Sequence, residues 1–129
     1  MSYQMTQQDT QFFMDNSNLE AARQALLAAV AGCKWHNPAK ARSLENVVGE
    51  FGWSLEFDAD GNVKDIEFLW ENAGDEKRLF DAIAPFVRPD SFIQMAGGDG
   101  ELWRWIFDGV RCMEKAPSIV WDEEENDDL

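Results

Sequence analysis

Between Glu56 and Glu67 the carboxylates stand where a calcium loop needs oxygen ligands. Asp58, Asp60 and Glu67 fall on the third, fifth and twelfth places of such a loop, and Gly61 falls on the sixth, where the chain must turn sharply. Glu56 takes the first place, which usually holds Asp. The flanks favour a plainer account. Trp53, Leu55 and Phe57 alternate with Ser54, Glu56 and Asp58, and Ile66, Phe68 and Trp70 alternate with Glu67 and Leu69. That period of two belongs to strands. Asp58-Ala59-Asp60-Gly61-Asn62 is also good turn chemistry, because Asp, Asn and Gly tolerate left-handed backbone angles. A hairpin is the first reading, and a calcium site at Glu56, Asp58, Asp60 and Glu67 is the alternative.

Cys33 and His36 lie three residues apart, and with Cys112 they raise a metal site or a nucleophile with its base. A structural zinc site needs four ligands, and the chain has one histidine. His36 is more simply a loop residue beside Pro38, and the cysteines are small buried hydrophobes. Gly97-Gly98-Asp99-Gly100 resembles a phosphate-cradling loop in composition alone. Such loops lead into a helix, whereas a strand pattern follows here, so a hairpin turn is expected. The short signatures of hydrolases, zinc proteases and nucleotide-binding loops are missing, and no cofactor is implied. With 25 acidic residues, pairs of carboxylates at glycosidase spacing arise by chance and point to nothing.

The aromatics carry more information. In Leu102-Trp103-Arg104-Trp105-Ile106-Phe107, Trp103, Trp105 and Phe107 share one face of a strand while Leu102, Arg104 and Ile106 share the other. Trp and Arg are enriched among residues that dominate interface energies. Trp103, Arg104 and Trp105 are therefore candidate partner-binding residues, with Trp70 and Trp121 extending the face. Directly after Trp121 come Asp122, Glu123, Glu124, Glu125, Asp127 and Asp128, a lure for a basic surface or a mimic of phosphate charge spacing.

These residues need a scaffold. Residues 1–16 read as an N-terminal arm whose Phe12, Phe13 and Met14 dock on the body. Ser17 and Glu20 form a capping-box pattern ahead of a helix that ends at Gly32. A second short helix ends at Gly52. The 53–70 hairpin follows, then a helix capped by Gly74-Asp75 and ended near Pro85. Strands at 92–96, 101–107 and 110–115 form a meander, and Ser118 to Trp121 is a candidate last strand. The expected fold class is α+β, with an antiparallel sheet of about five strands packed against two or three helices in the order α-α-β-β-α-β-β-β. Residues 17–121 form one domain and 122–129 an acidic tail.

Net charge bounds function. The chain carries −14 at neutral pH, and without the six tail acids 19 acidic residues still face 11 basic ones, about −8. Such a field repels nucleic-acid phosphate and anionic lipid and attracts basic proteins. The opening residues lack a signal-peptide pattern, and nowhere do about 18 apolar residues run together, so a cytoplasmic protein is expected. The reading is a small acidic, non-enzymatic interaction domain, an inhibitor or immunity protein occupying a basic, nucleic-acid-binding site on a partner. The alternatives are a homo-oligomeric structural domain, a calcium-binding module and a small carboxylate-dependent enzyme.

Overall fold

The computed structural model describes residues 3–121. Helix α1 (Leu19–Val30) buries Ala22, Leu26 and Val30, one residue per turn on one face. The capping box is not made. Asp15 instead accepts from the Ser17 backbone N–H and hydroxyl, which opens a 3-10 turn at Asn16–Asn18. The helix then starts without a side-chain cap. Glu20, free of that task, takes two parallel bonds of 2.8 Å from Arg23.

Helix α2 (Leu44–Gly49) is capped by Ser43, whose hydroxyl accepts from the Asn46 N–H. Helix α3 (Glu76–Ile83) is capped by Asp75 and passes into a 3-10 turn at Ala84–Phe86, where Pro85 lacks the N–H to continue it.

The described residues form six strands, one more than expected. They are β1 (Met5–Gln11), β2 (Trp53–Phe57), β3 (Val63–Phe68), β4 (Phe92–Gly97), β5 (Leu102–Phe107) and β6 (Cys112–Lys115). Four form an antiparallel sheet in the order β1-β4-β5-β6, while β2 and β3 form a separate hairpin. The N-terminal arm is thus largely a sheet strand, paired from Met5 with Gly97 to Gln11 with Phe92. Its apolar knot does dock, with Phe12 and Met14 buried. At the other end, residues 118–121 form no strand, and Ile119, Val120 and Trp121 stand exposed. Strand β6 starts at Cys112 because the Asp108 carboxylate holds the N–H groups of Val110 and Arg111 in a turn.

The two sheets almost join. At one end Met14 and Val63 exchange a pair of backbone bonds of 3.0 and 2.9 Å. At the other, Met5 N–H donates to the Glu71 carbonyl and Ala73 N–H to the Tyr3 carbonyl. Between these points the β1 register shifts between Gln7 and Asp9, and β1 and β3 part. The Gln7 amide spans the gap, donating to the Ile66 carbonyl and accepting from the Phe68 N–H, both at 2.8 Å. A side chain here stands in for a missing stretch of ladder.

The core lies between the helices and the inward sheet faces. Phe80 of α3 packs 5.3 Å from Trp53, 4.9 Å from Trp105 and 5.8 Å from Phe107, between ring centroids. Each such buried aromatic contributes about 1.5–3 kcal/mol by removal from water.

Candidate functional site

Three depressions follow β1 and its neighbours. The largest, about 620 Å³, is the gap between β1 and β3, where Asp9, Glu56, Asp65 and Glu67 line the walls beside Thr6, Gln7 and Trp70. A second, about 320 Å³, adjoins it at Met5, Thr6 and Trp70 and adds Glu71. The third, about 310 Å³, shares Met5 and is bounded by Tyr3, Trp103, Trp105, Glu76, Glu101 and Glu114, with Lys77.

Eight carboxylates and one ammonium therefore line a continuous acidic belt. That one ammonium, Lys77, is paired at 2.5 Å with Asp81. The basic residues gather elsewhere: Lys34, Lys40 and Arg42 between α1 and α2, and Arg104, Arg111 and Lys115 around β5 and β6. A concave surface of one sign focuses field and draws in the opposite charge.

Some of these acids sit at a cost. Glu56 faces Asp65 directly across the β2–β3 pair, and like charges in that position destabilise a sheet by a few tenths to about 1 kcal/mol. Lys64, 3.4 Å from Glu56, offsets part of it.

Trp70 rides over the belt because Gly52 makes room for it. A Cβ on Gly52 would lie 2.2 Å from the Trp70 ring, and Gly52 has φ +86°. The indole is held there half exposed.

Glu76 is buried, accepting from the Trp53 indole N–H at 3.2 Å and the Gly74 N–H at 2.7 Å. Burial pushes its carboxyl above the ordinary glutamate range despite both donors. Tyr3 donates its hydroxyl to Asp99 at 2.7 Å. That bond, with desolvation and the Asp99 charge, raises the phenol to about 12. Trp103 has a buried indole N–H without an acceptor among the described residues, a defect of about 1–3 kcal/mol when fully desolvated.

The residues nominated by sequence are distributed differently. Trp105 is 7% exposed and belongs to the core, because the helices cover the aromatic face of β5. Trp105 is therefore not part of a free aromatic surface, although it lines part of the third depression. Trp103 is half buried beside Tyr3. Arg104 lies on the opposite, solvent face, over the Phe92 ring at 4.2 Å and bonded to Gln94. Trp121 is exposed. Asp122, Glu123, Glu124, Glu125, Asp127 and Asp128 lie outside the described residues.

The calcium alternative loses its loop geometry. Asp58 is committed to the turn, accepting from the N–H groups of Asp60 and Asn62. Glu67 sits well along β3, opposite Ser54, and Glu56 is tied to Lys64. Among the described residues no three His, Cys, Asp or Glu side chains gather as a metal site.

Nor do Cys33, His36 and Cys112 form a reactive group. His36 Nδ1 lies 2.7 Å from Glu50, which also accepts from the Asn37 N–H and so clips the loop between α1 and α2. Burial and nearby acids push the Cys112 thiol up to about 12, the reverse of what a nucleophile requires.

Sequence reasoning missed Asp9, Asp65, Glu71, Glu76, Glu101 and Glu114. Alternation along β3 placed Glu67 on a strand, but nothing local said that β1 would lie beside it. Compared with protein-family models, curated proteins and solved structures, the chain matches none. Among the described residues no helix is long and apolar enough to cross a membrane.

Proposed function

We propose that this chain is a small, acidic, non-enzymatic interaction domain that occupies a basic site on another protein, as an inhibitor or immunity protein does. The observation that carries the reading is the segregation of charge, with eight carboxylates around one paired lysine along the β1 depressions. The like-charged Glu56 and Asp65 supply a second argument, since acids kept where they cost stability point to a use in binding. A basic, nucleic-acid-binding site is the natural complement, because it already selects for closely spaced negative charge. Both cysteines are free, which suits a cytosolic setting.

The test is capture of tagged protein from nuclease-treated native lysate at low and high salt. The parent is run beside an Asp9→Asn, Asp65→Asn, Glu67→Gln variant and a truncation after Trp121. A Lys- and Arg-rich partner lost at high salt and weakened by the belt variant supports the reading. Retention by the truncation assigns binding to the belt rather than to the tail. Recovery of the chain alone, or a partner indifferent to salt and to the belt variant, overturns it.

A further inference from the structure

The third depression is the one part of the belt with aromatic walls, and its chemistry is narrower than that of the rest. The Trp103 and Trp105 rings lie 5.8 Å apart at 84°, forming a corner, and the Tyr3 ring closes a third side 6.0 Å from Trp103. Tyr3 is held in place from both ends. Its carbonyl accepts from the Ala73 N–H, and its hydroxyl is committed to Asp99. Gly97 leaves the space it occupies, since a Cβ there would lie 1.7 Å from the phenol oxygen.

Carboxylates surround this corner. Glu101 and Glu114 are exposed and Glu76 is buried among the lining residues. At about 310 Å³ the space is at the small end of ligand pockets, sized for one side chain or a small molecule.

Aromatic faces present negative charge, and a cation within about 6 Å of a ring centroid is attracted, to Trp most of all. An anion entering here meets the exposed Glu101 and Glu114 carboxylates, with Glu76 buried behind them. A neutral apolar group gains the walls but not the acids. We propose that the Tyr3–Trp103–Trp105 corner receives an alkylammonium group, and that in the partner this group is a lysine side chain. The inference rests on the acidic-belt reading and specifies the group that one end of the belt recognises.

A lysine within a peptide fits better than a free amine, because the belt reading makes the partner a protein and the backbone N–H groups beside the lysine can donate to the exposed Glu101 and Glu114 carboxylates. Lys77 does not fill the corner itself, being drawn to Asp81 with most of its side chain in solvent.

The experiment titrates the full chain with a capped Gly-Lys-Gly peptide, its Nε-acetyl form, n-butylammonium and neutral 3,3-dimethylbutanol, following the Trp indole N–H resonances. The lysine peptide is expected to move the Trp103 and Trp105 signals and to bind more tightly than n-butylammonium. Acetylation or the neutral alcohol should weaken binding about tenfold or more. Trp103→Leu should do the same and Trp103→Phe less. Because a change at Trp103 risks the fold, Glu101→Gln with Glu114→Gln gives an independent arm on exposed side chains, expected to weaken binding several-fold. Equal binding of the acetylated peptide or alcohol, or unchanged binding in both variant sets, overturns the inference. Equal or tighter binding of n-butylammonium overturns the lysine assignment. No binding at all also overturns it, while salt-sensitive partner capture, which uses none of these probes, still decides the broader reading.

Discussion

Replacing Gln7 with Leu removes the one side chain among the described residues that bridges the middle of the β1–β3 gap. Two hydrogen bonds across the gap are lost, to the Ile66 carbonyl and from the Phe68 N–H, each 2.8 Å in the parent, together with a local bond to the Thr10 hydroxyl. A typical intramolecular hydrogen bond is worth about 1 kcal/mol net, and leaving a buried partner unpaired costs about 1–3 kcal/mol. The Ile66 and Phe68 groups border an open groove, so water takes up part of that penalty, and the total comes to about 2 kcal/mol. An unfolding entropy of ~2.1 cal/mol/K per residue gives ~0.27 kcal/mol/K for 129 residues, so Tm should fall by roughly 7 °C. Urea unfolding followed by tryptophan fluorescence supplies the free energy. Native-state hydrogen exchange supplies the location, since the Phe68 amide should lose protection while amides of the β4–β5 pair keep theirs relative to global stability. A variant within about 0.5 kcal/mol of the parent, with Phe68 still protected, would refute the claim that the amide substitutes for ladder.

Tyr3 is the sole tyrosine, so absorbance titration reads it alone, and the phenol should ionise near 12 with Asp99→Ala bringing it back toward 10. Because the folded value is the higher one, stability from this contact is present below pH 10 and lost as pH rises through about 12; a midpoint at the ordinary value would show that the Asp99 bond is not made. Glu76 also has a raised folded value, so the native state binds the proton more tightly and stability falls as pH rises from the ordinary Glu range. Comparing parent with Glu76→Gln cancels the other carboxyls, and the advantage of the parent should shrink as pH rises out of the ordinary Glu range; a pH-independent difference would remove burial as the cause. Gly52→Ala should cost about 1–3 kcal/mol, combining a left-handed backbone angle with expulsion of Trp70, and should shift Trp emission toward that of exposed indole; an unaltered spectrum and melting curve would contradict the packing described.

The regular elements were legible because their signals are local. Asp75 caps α3 as read, and the 53–70 hairpin and the β4–β5–β6 meander stand where alternation and turn residues placed them. Strand β1 was not legible, because Met-Thr-Gln-Gln-Asp-Thr-Gln has neither apolar alternation nor strand-favouring composition and buries only Met5. What makes it a strand is β4, 81 to 92 residues away across the paired positions. The capping box failed because Asp15, two residues before Ser17, takes the Ser17 N–H that Glu20 would have accepted. The faces of β5 could be separated by alternation, but choosing which one the helices cover required their packing. The belt was hidden by abundance, since eight of 25 acids can be singled out only after β1 and β3 are brought together.

Strand β1 is the first of the described elements and the edge of its sheet, yet it lies between β4, which it pairs along its length, and β3, which it meets at both ends of the gap. Its pairings are the most distant among the described strands, so loop-closure entropy favours their forming after the hairpins and helices. The first fourteen residues therefore resemble a detachable splint more than an arm. A chain starting at Asp15 should collapse around α1, α3 and the two hairpins but leave an open trough where β1 belongs. A synthetic peptide of residues 1–14 is expected to re-enter that trough and restore the native tryptophan spectrum. The domain would then be a candidate for fragment complementation, in which two inert pieces report on whatever brings them together.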